Sequence, residues 1–256
     1  MIDFKDCTFI IPIRLDSKDR IRNLEIVLRF LQRNFDTNII VCESDGKSNR
    51  EIIEKAALFP IKYMFHEDGG SFKRTKILND MTREAETNII VNYDIDVVFQ
   101  PYQLVNARKL IYAGITLVFP YGGLFWDLAE TGFSWVKHDN LNALPYFQHG
   151  RLLHPCSVGG AFLFNKEDYR KAGWENENFI SWGYEDNERL ERLDKLGYNI
   201  ARTGGICYHL THHRGVDSDN TNPFFQQNQQ ILQKIVQMSK EDLEKHVESW
   251  KWIQKD

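Results

Sequence analysis

The sequence predicts an α/β protein built on a mostly parallel central sheet that is flanked by helices. From residue 1 to about residue 120, short apolar runs of strand length alternate with segments whose apolar residues recur at helical spacing. Single helices between consecutive strands are typical of right-handed βαβ units and a parallel sheet. Beyond residue 120 the pattern is less regular. We therefore expect a smaller irregular region there, followed by C-terminal helices, all within a single domain.

The segment from 21 to 31 illustrates the helical pattern, with apolar residues at Ile21, Leu24, Val27, Leu28 and Leu31. The strands predicted by the same reasoning are 8–13, 38–42, 61–65, 88–93, 115–119, 161–165 and 206–211. The predicted helices are 21–31, 49–58, 75–86, 101–112, 166–172, 185–196, 223–238 and 240–252. Residues 121–158 are rich in Gly, Trp, Phe and His without a clean period, which predicts loops.

Composition and charge exclude some classes of protein. The net charge of −4 argues against nucleic acid as a partner, because such binders usually carry a basic excess. No apolar run approaches the roughly 20 residues that a membrane-spanning helix needs. The four cysteines are far apart in the chain, so we interpret them as reduced. These features predict a cytoplasmic protein.

Two carboxylates follow the predicted strand 88–93 directly. Because side chains alternate in an extended chain, Asp94 and Asp96 point to one side while Ile95 turns back into the core. Ligands of parallel α/β proteins bind beyond the carboxyl ends of the strands. Carboxylate oxygens there suit Mg²⁺ or Mn²⁺ shared with substrate phosphates. The alternative interpretation is a polar loop with two solvated acids.

Three histidines lie within five residues at the end of the predicted strand 206–211. Imidazole nitrogens of His209, His212 and His213 are ligands for Mn²⁺ or Zn²⁺, although a surface histidine cluster is the alternative. If this strand end meets Asp96, one carboxylate and two histidines would favour Mn²⁺ over Mg²⁺.

The segment Trp182–Asn187 opens the predicted helix 185–196. Glu185 and Asp186 in a first helical turn are stabilised by the helix dipole, which is the structural interpretation. The functional interpretation is a carboxylate that takes a proton from an attacking hydroxyl, with Trp182 as a platform for a sugar. Basic and aromatic residues also follow the first and third predicted strands; they are Arg14, Phe72, Arg74 and Lys76.

In chain order, these segments resemble the animal β-1,4-galactosyltransferases and their bacterial family-2-like relatives, which have the GT-A fold. The blocks that carry the resemblance are I-I-P-I-R (10–14), F-K-R-T-K-I-L-N (72–79), D-I-D (94–96), G-G-A-F-L-F (159–164), W-G-Y-E-D-N (182–187) and G-I-C-Y-H-L-T-H-H-R (205–214). The resemblance implies a GT-A, Rossmann-like fold. Its implied parts are a nucleotide-sugar-binding half at about 1–120, an acceptor and catalytic half at about 121–222, and helices at 223–256.

The resemblance also implies a role for each matching residue. Asp186 matches the catalytic base and Glu185 an acid that binds the acceptor. The implied contacts with donor and nucleotide are Pro12, Arg14, Phe72, Arg74, Lys76, Asp94, Asp96, Gly160 and Trp182. The implied metal ligands are Asp96, His209 and His212, with Mn²⁺ or Mg²⁺ as cofactor and His213 as an alternative ligand. His209 departs from the animal enzymes, which have Met at that position.

The activity implied by the resemblance is an inverting transfer of a hexose or N-acetylhexosamine, galactose-type favoured. The donor would be a UDP-sugar, and the acceptor a hydroxyl of a glycan or lipid-linked glycan. Two alternatives are a nucleotidyltransferase, which usually has a Gly-rich loop where 14–20 has no Gly, and a non-catalytic nucleotide- or carbohydrate-binding module. Packing of the last helix on the domain is favoured, and peripheral contact with the inner face of a membrane is its alternative.

Overall fold

Two sheets and their helices make up the structure, a computed structural model that describes residues 1–215 and 218–255. The strands are β1 (Ile2–Ile13), β2 (Phe35–Asp45), β3 (Lys62–Glu67), β4 (Ile89–Tyr93), β5 (Val97–Val98), β6 (Leu117–Phe119), β7 (Leu124–Leu128), β8 (Gly150–His154), β9 (Ala161–Asn165), β10 (Ile200–Arg202) and β11 (Ile206–Leu210). The helices are α1 (Lys18–Asn34), α2 (Arg50–Ala56), α3 (Arg74–Glu84), α4 (Pro101–Tyr112), α5 (Phe133–Lys137), α6 (Lys166–Lys171), α7 (Glu185–Leu196), α8 (Phe225–Gln237) and α9 (Lys240–Glu248).

The central sheet has the strand order β10-β6-β9-β4-β1-β2-β3. Pairs β1/β2, β1/β4, β2/β3 and β10/β6 are parallel, whereas β9 runs antiparallel to both β4 and β6. The mostly parallel sheet is therefore confirmed. Because β1, β2, β3 and β4 point the same way, their carboxyl ends share one edge of the sheet.

Apolar side chains of β1 and β4 form the middle of the core. All five residues of β4 are buried. Helix α1 packs its apolar stripe, which includes Leu24, Leu28 and Leu31, into the same core cluster. Its Ser17 side chain accepts a hydrogen bond from the backbone N–H of Arg20, which fixes where the helix begins. The segment after Ile13 is thereby turned back across the edge of the sheet.

A second sheet, β5-β11-β7-β8, lies beside the first and corrects the prediction that 121–158 consists of loops. Strand β11 pairs antiparallel with β5 and parallel with β7, and β7 pairs antiparallel with β8. These strands are short, and their partners are far away in the chain. A local periodicity search could not detect them for that reason. Strand β5 begins directly after Asp96, so the second sheet is joined to the carboxyl end of β4.

The C-terminal helices pack on the domain, as favoured from the sequence. Leu243, Val247, Trp250 and Trp252 are buried in a cluster with Ile235. The Ser239 hydroxyl accepts from the backbone N–H of Asp242 and so caps the first turn of α9. Asp256, the last residue of the predicted C-terminal part, lies outside the described residues. In the parts of the chain that the structure describes, every helix is too short or too polar to cross a membrane.

Candidate active site

A cavity of about 780 Å³ opens where the carboxyl ends of β1 and β4 meet the second sheet. The residues of the sequence prediction that line it are Pro12, Phe72, Arg74, Asp94, Asp96, Gly160, Trp182, Glu185, Asp186, His209 and His212. Three stretches distant in the chain, 94–96, 185–186 and 209–212, therefore face one cavity. The volume suits a ligand of cofactor or nucleotide size.

Asp96, His209 and His212 form a candidate metal centre on one wall of the cavity. One ligand atom from each residue lies within 4.8 Å of the other two. The Asp96 Oδ2 atom is 3.0 Å from His212 Nε2 and 4.0 Å from His209 Nε2. The backbone supports this convergence, because the Leu210 N–H donates to the Asp96 carbonyl at 2.6 Å. His213 is exposed and does not join this group among the residues described.

The hydrogen bonds of both imidazoles fit metal ligation through Nε2. His212 Nδ1 lies 2.7 Å from the backbone carbonyl of His213, and His209 Nδ1 lies 2.8 Å from Asp127 Oδ1. A carbonyl and a carboxylate only accept, so each Nδ1 carries the hydrogen. With that hydrogen on Nδ1, the Nε2 lone pair of each neutral ring would be available to a cation shared with Asp96. Two imidazole nitrogens and one carboxylate oxygen are a donor set that suits Mn²⁺.

Positive charge surrounds Asp96. Burial opposes its ionisation, but the rings of His212 and His209 together with Arg20 hold the pKa of this carboxyl below its usual range. Arg20 Nη1 lies 2.8 Å from Asp96 Oδ2. Arg20 comes from the first turn of α1 and was not predicted as a site residue, because a basic residue in a helix is usually solvated. An ionised Asp96 is the form that binds a cation.

Arg74 connects the two acidic groups of the cavity. Its Nη2 atom donates to Asp94 Oδ1 at 2.6 Å, and its Nη1 atom is 4.0 Å from Asp186 Oδ1. Removal of the Asp94 carboxyl from bulk water raises its pKa, although Arg74 opposes that shift. The side chain of Arg74 is 13% exposed, and its Nη1 atom is enclosed without a hydrogen-bond partner among the described residues. Arg74 thus places its guanidinium group between the carboxylates of Asp94 and Asp186.

Asp186 is oriented from behind by a buried arginine. Arg189 donates to Asp186 Oδ1 at 2.8 Å and is itself held by two hydrogen bonds to Glu175, at 2.8 and 2.9 Å. Asp186 retains a partly exposed side chain, whereas Arg189 and Glu175 are buried. The buried ion pair therefore fixes the carboxylate at the cavity wall.

Glu185 occupies a drier position than its neighbour. It is buried and accepts a hydrogen bond from the Gly183 N–H at 2.8 Å. Burial, and next the charge of Asp186, raise the pKa of Glu185 to about 7. A carboxyl group with that pKa exchanges a proton near neutral pH.

Two glycines let the backbone approach these side chains. A Cβ atom on Gly159 would lie 2.7 Å from Asp186 Oδ2, and one on Gly160 would lie 3.0 Å from the Phe125 ring. Gly160 also has φ +84°, a conformation that favours glycine. The absence of a Cβ at these two positions therefore lets the backbone lie against Asp186 and Phe125.

Arg14 and Lys76, two predicted nucleotide contacts, lie outside the residues that line the cavity. Arg14 donates to the backbone carbonyls of Ser44, Asp68 and Gly70, at 3.0, 3.0 and 2.7 Å. It thereby joins the segment after β1 to the end of β2 and to the segment after β3. Lys76 Nζ hydrogen-bonds with Asp80 one turn along α3. The structure gives both residues local structural contacts at the edge of the sheet.

Comparisons with known proteins agree with this geometry. Residues 147–214 match the model of a family described as the N-terminal domain of galactosyltransferase. Chondroitin synthase of Escherichia coli is 25% identical over 209 residues, which cover 68% of this chain and 30% of that protein. Human β-1,4-galactosyltransferase 3 is 28% identical over 169 residues, covering 63% of this chain and 36% of its own length. The chain thus spans about a third of the length of these curated relatives.

Solved structures share the fold. The catalytic domain of Drosophila β1,4-galactosyltransferase 7, in complex with xylobiose, superposes with a TM-score of 0.56 at 16% identity, over 94% of this chain and 84% of that one. Glucosyl-3-phosphoglycerate synthase from Mycobacterium tuberculosis, in complex with Mn²⁺, UDP and phosphoglyceric acid, gives a TM-score of 0.57 at 15% identity, over 92% and 80%.

The fold is that of the GT-A glycosyltransferases, which confirms the predicted fold class. Within that class the chain is similar to the β-1,4-galactosyltransferases, and the predicted resemblance is confirmed as well.

Proposed function

We propose that this chain is a metal-dependent, inverting glycosyltransferase. It transfers a hexose or N-acetylhexosamine from a UDP-sugar to a hydroxyl of a glycan or lipid-linked glycan. The observation that carries the proposal is the convergence of Asp96, His209 and His212 in a cavity that Asp186 also lines. One cavity then holds a cation for a leaving group and a base for an acceptor.

The donor diphosphate suits the charges of the cavity. Asp96, His209 and His212 would hold Mn²⁺ or Mg²⁺, which when bound offsets the charge that grows on the nucleoside diphosphate. Arg20, Arg74 and Arg214 also line the cavity and offer guanidinium groups to phosphate oxygens. The Phe72 ring and Pro12 lie on the nucleotide side of the proposed site. A mutant form of the Drosophila galactosyltransferase 7 was solved in complex with manganese, UDP-Gal and xylobiose, which supports a galactose-type donor for this chain.

Asp186 is the proposed base. The acceptor oxygen forms a bond to the anomeric carbon as the bond from that carbon to the diphosphate oxygen breaks. The acceptor proton passes to Asp186, and one displacement inverts the anomeric centre. Arg189 keeps the carboxylate in place through the pair with Glu175. Glu185, the residue before Asp186 in α7, binds the acceptor and holds its hydroxyl toward Asp186. The Trp182 ring packs against the sugar.

Metal dependence is the direct test of this function. Transfer from UDP-galactose and the other UDP-hexoses is measured on a panel of oligosaccharide acceptors, with EDTA and after Mn²⁺ addition. We expect EDTA to stop transfer and Mn²⁺ to restore it. Asp96→Ala should lose transfer, while Asp36→Ala, which removes an exposed acid paired with Lys5, should retain it. Full activity in EDTA would overturn the metal assignment.

The base is tested separately from the metal. We expect Asp186→Asn to abolish transfer and to retain Mn²⁺-dependent binding of UDP, because the carboxylate acts on the acceptor. Wild-type turnover in this variant would remove Asp186 as the base.

The predicted cytoplasmic location and peripheral membrane contact stay predictions.

A further inference from the structure

Asp127 lies directly behind His209, on the side away from Asp96. The parallel pairing of β7 and β11 makes the two residues register partners, and the Asp127 Oδ1 atom lies 2.8 Å from His209 Nδ1. No local pattern marks Asp127 in the sequence, because residues 121–158 have no clean period and predict loops. It becomes visible only once the register of the second sheet is known.

We propose that Asp127 is a positioning residue for the cation. Its carboxylate fixes the Nδ1–H tautomer and the orientation of the His209 ring, and so sets both the affinity for Mn²⁺ and the preference for Mn²⁺ over Mg²⁺. This inference rests on the proposed function of Asp96, His209 and His212 as metal ligands. A carboxylate behind a ligating histidine commonly serves this purpose in metal sites.

The surroundings of Asp127 keep its carboxylate pointed at His209. Across the other edge of β7, Asp127 is the register partner of Arg151 on β8, whose Nε atom lies 3.8 Å from Asp127 Oδ2. The side chain of Asp127 is 15% exposed. The Phe125 ring packs 5.4 Å from the His209 ring, centre to centre, and limits its rotation. The second sheet thus supplies the candidate ligand His209 on β11, and both the carboxylate of Asp127 and the ring of Phe125 on the adjacent strand β7.

The two histidines differ in what accepts their Nδ1 hydrogen. His212 donates to the neutral carbonyl of His213, whereas His209 donates to a carboxylate. A carboxylate raises the basicity of the opposite nitrogen, Nε2, more than a carbonyl does. Mn²⁺ gains more from imidazole than Mg²⁺, which prefers oxygen ligands. Loss of Asp127 should therefore weaken Mn²⁺ binding more than Mg²⁺ binding, an effect that a purely structural role would not produce.

The experiment measures binding of each metal ion alone to the full chain, without donor, by calorimetry. We expect Asp127→Ala to weaken Mn²⁺ binding about 10- to 100-fold. Mg²⁺ binding should weaken by less than about threefold, since oxygen ligands dominate its coordination. Asp127→Asn keeps an oxygen that accepts from Nδ1 and should lose less Mn²⁺ affinity than Asp127→Ala. Asp36→Asn, on the exposed pair with Lys5, is the matched control and should bind both ions as the wild type does.

A spectroscopic measurement separates positioning from general loosening. Electron spin-echo measurements on bound Mn²⁺ should detect two coordinated imidazole nitrogens in the wild type and one in Asp127→Ala. Two nitrogens and an unchanged ratio of Mn²⁺ to Mg²⁺ affinity in Asp127→Ala would overturn the inference. If Asp127→Ala does not fold, the ratio of Mn²⁺ to Mg²⁺ affinity is measured in Asp127→Asn instead. A ratio equal to that of the wild type would then overturn the inference.

The metal site itself is tested in parallel. Wild-type Mn²⁺ affinity in both Asp96→Ala and His212→Ala would refute the proposed site, and with it the inference. Loss of Mn²⁺ binding in those two variants together with unchanged binding in Asp127→Ala would refute the role of Asp127 alone.

Discussion

Glu185 shows how burial tunes one residue. Its pKa of about 7 in the native state, against 4.5 as the ordinary value, means that the folded protein prefers this carboxyl protonated. The free energy of unfolding contributed by this group is therefore highest below about pH 4.5, and it falls as the pH rises toward 7. Above about pH 8 the loss amounts to roughly 3 kcal/mol.

We expect Glu185→Gln to remove most of that pH dependence, because the amide cannot ionise. Urea unfolding at pH 5 and pH 8 measures the difference between the wild type and the variant. Glu51→Gln, a change at an exposed helix position, is the control. Its free energy of unfolding should change between pH 5 and pH 8 as much as that of the wild type. Equal pH dependence in wild type and Glu185→Gln would contradict the raised pKa.

Gly159 offers a second test at the scale of one residue. A methyl group there would meet Asp186 Oδ2 at 2.7 Å, and the carboxylate must move because the neighbour is a side-chain end. We expect Gly159→Ala to lower kcat at least about tenfold, since a small displacement of a catalytic group is costly, while the thermal midpoint changes little. Gly204→Ala is the matched control, because a Cβ there meets nothing within 4 Å. Equal kcat in the two variants would contradict this geometry.

At the scale of elements, α8 braces the segment that carries Trp182. Ser181, Gly183 and Tyr184 have φ of 60°, 122° and 69°, a left-handed run that costs free energy at its non-glycine positions. Phe225 at the start of α8 stacks on Trp182 at 5.9 Å with an interplanar angle of 13°. The side chain of Asn222 also donates to the Trp182 carbonyl at 2.8 Å. These contacts hold a strained segment in one conformation.

We expect Phe225→Ala to raise the KM for the acceptor about two- to twelvefold, which corresponds to the 0.5–1.5 kcal/mol of an aromatic pair. Donor binding should change less, because the nucleotide lies at the other end of the proposed site. Steady-state kinetics with each substrate varied in turn measures the split. Val236→Ala, an exposed position on the same helix, should leave both constants unchanged. A larger change in the KM for the donor than in the KM for the acceptor would show that the Trp182–Phe225 pair does not support acceptor binding.

At the scale of the whole molecule, α7 connects the active site to the C-terminal cluster. Its first residues face the cavity, and its last residue, Leu196, packs on the cluster that contains Trp250. Gly173 lies so close to the indole of Trp250 that a Cβ there would approach it to 2.8 Å. The C-terminal helices therefore support the helix that presents Glu185 and Asp186.

We expect Trp250→Ala to lower the free energy of unfolding by about 3 kcal/mol, at the lower end for a buried Trp. The loss is at the lower end because the buried indole N–H has no hydrogen-bond partner among the described residues. Burying an unpaired N–H costs free energy, and the substitution removes that cost. Denaturant unfolding measures the loss, and Mn²⁺ affinity should stay constant. Lys251→Ala, at the exposed next position, is the control; equal stability of the two variants would contradict the packing.

Much of the first half could be predicted because its signals are local. The run 88–93 is apolar and followed by alternating carboxylates, so both the strand β4 and the strand-end position of Asp94 and Asp96 could be inferred from neighbouring residues. Helix α4 was predicted to the residue, at 101–112, and so was α7 of the second half, at 185–196. Pro101 at the start of α4 and Gly197 directly after α7 mark such boundaries locally.

The second sheet could not be predicted because its strands depend on pairing between segments that are distant in the chain. Strand β7 is only Leu124–Leu128, and its meaning depends on pairing with β11, far along the chain. Asp127 and Arg20 could not be recognised as site residues from the sequence, since each resembles an ordinary surface residue until its partner, His209 or Asp96, is known. Arg14 and Lys76 make local hydrogen bonds in the fold, and their nucleotide contacts stay a prediction from the block resemblance.

The three candidate ligands belong to chain segments that only the folded state brings together, so an ion bound there acts as a removable cross-link. An ion that binds only the native form at 100 times its dissociation constant adds about 2.7 kcal/mol of stability. The population of opened molecules that a protease can cut would then fall about 100-fold. The lifetime of this protein in a cell is therefore expected to follow the supply of the trace metal, apart from any effect on turnover.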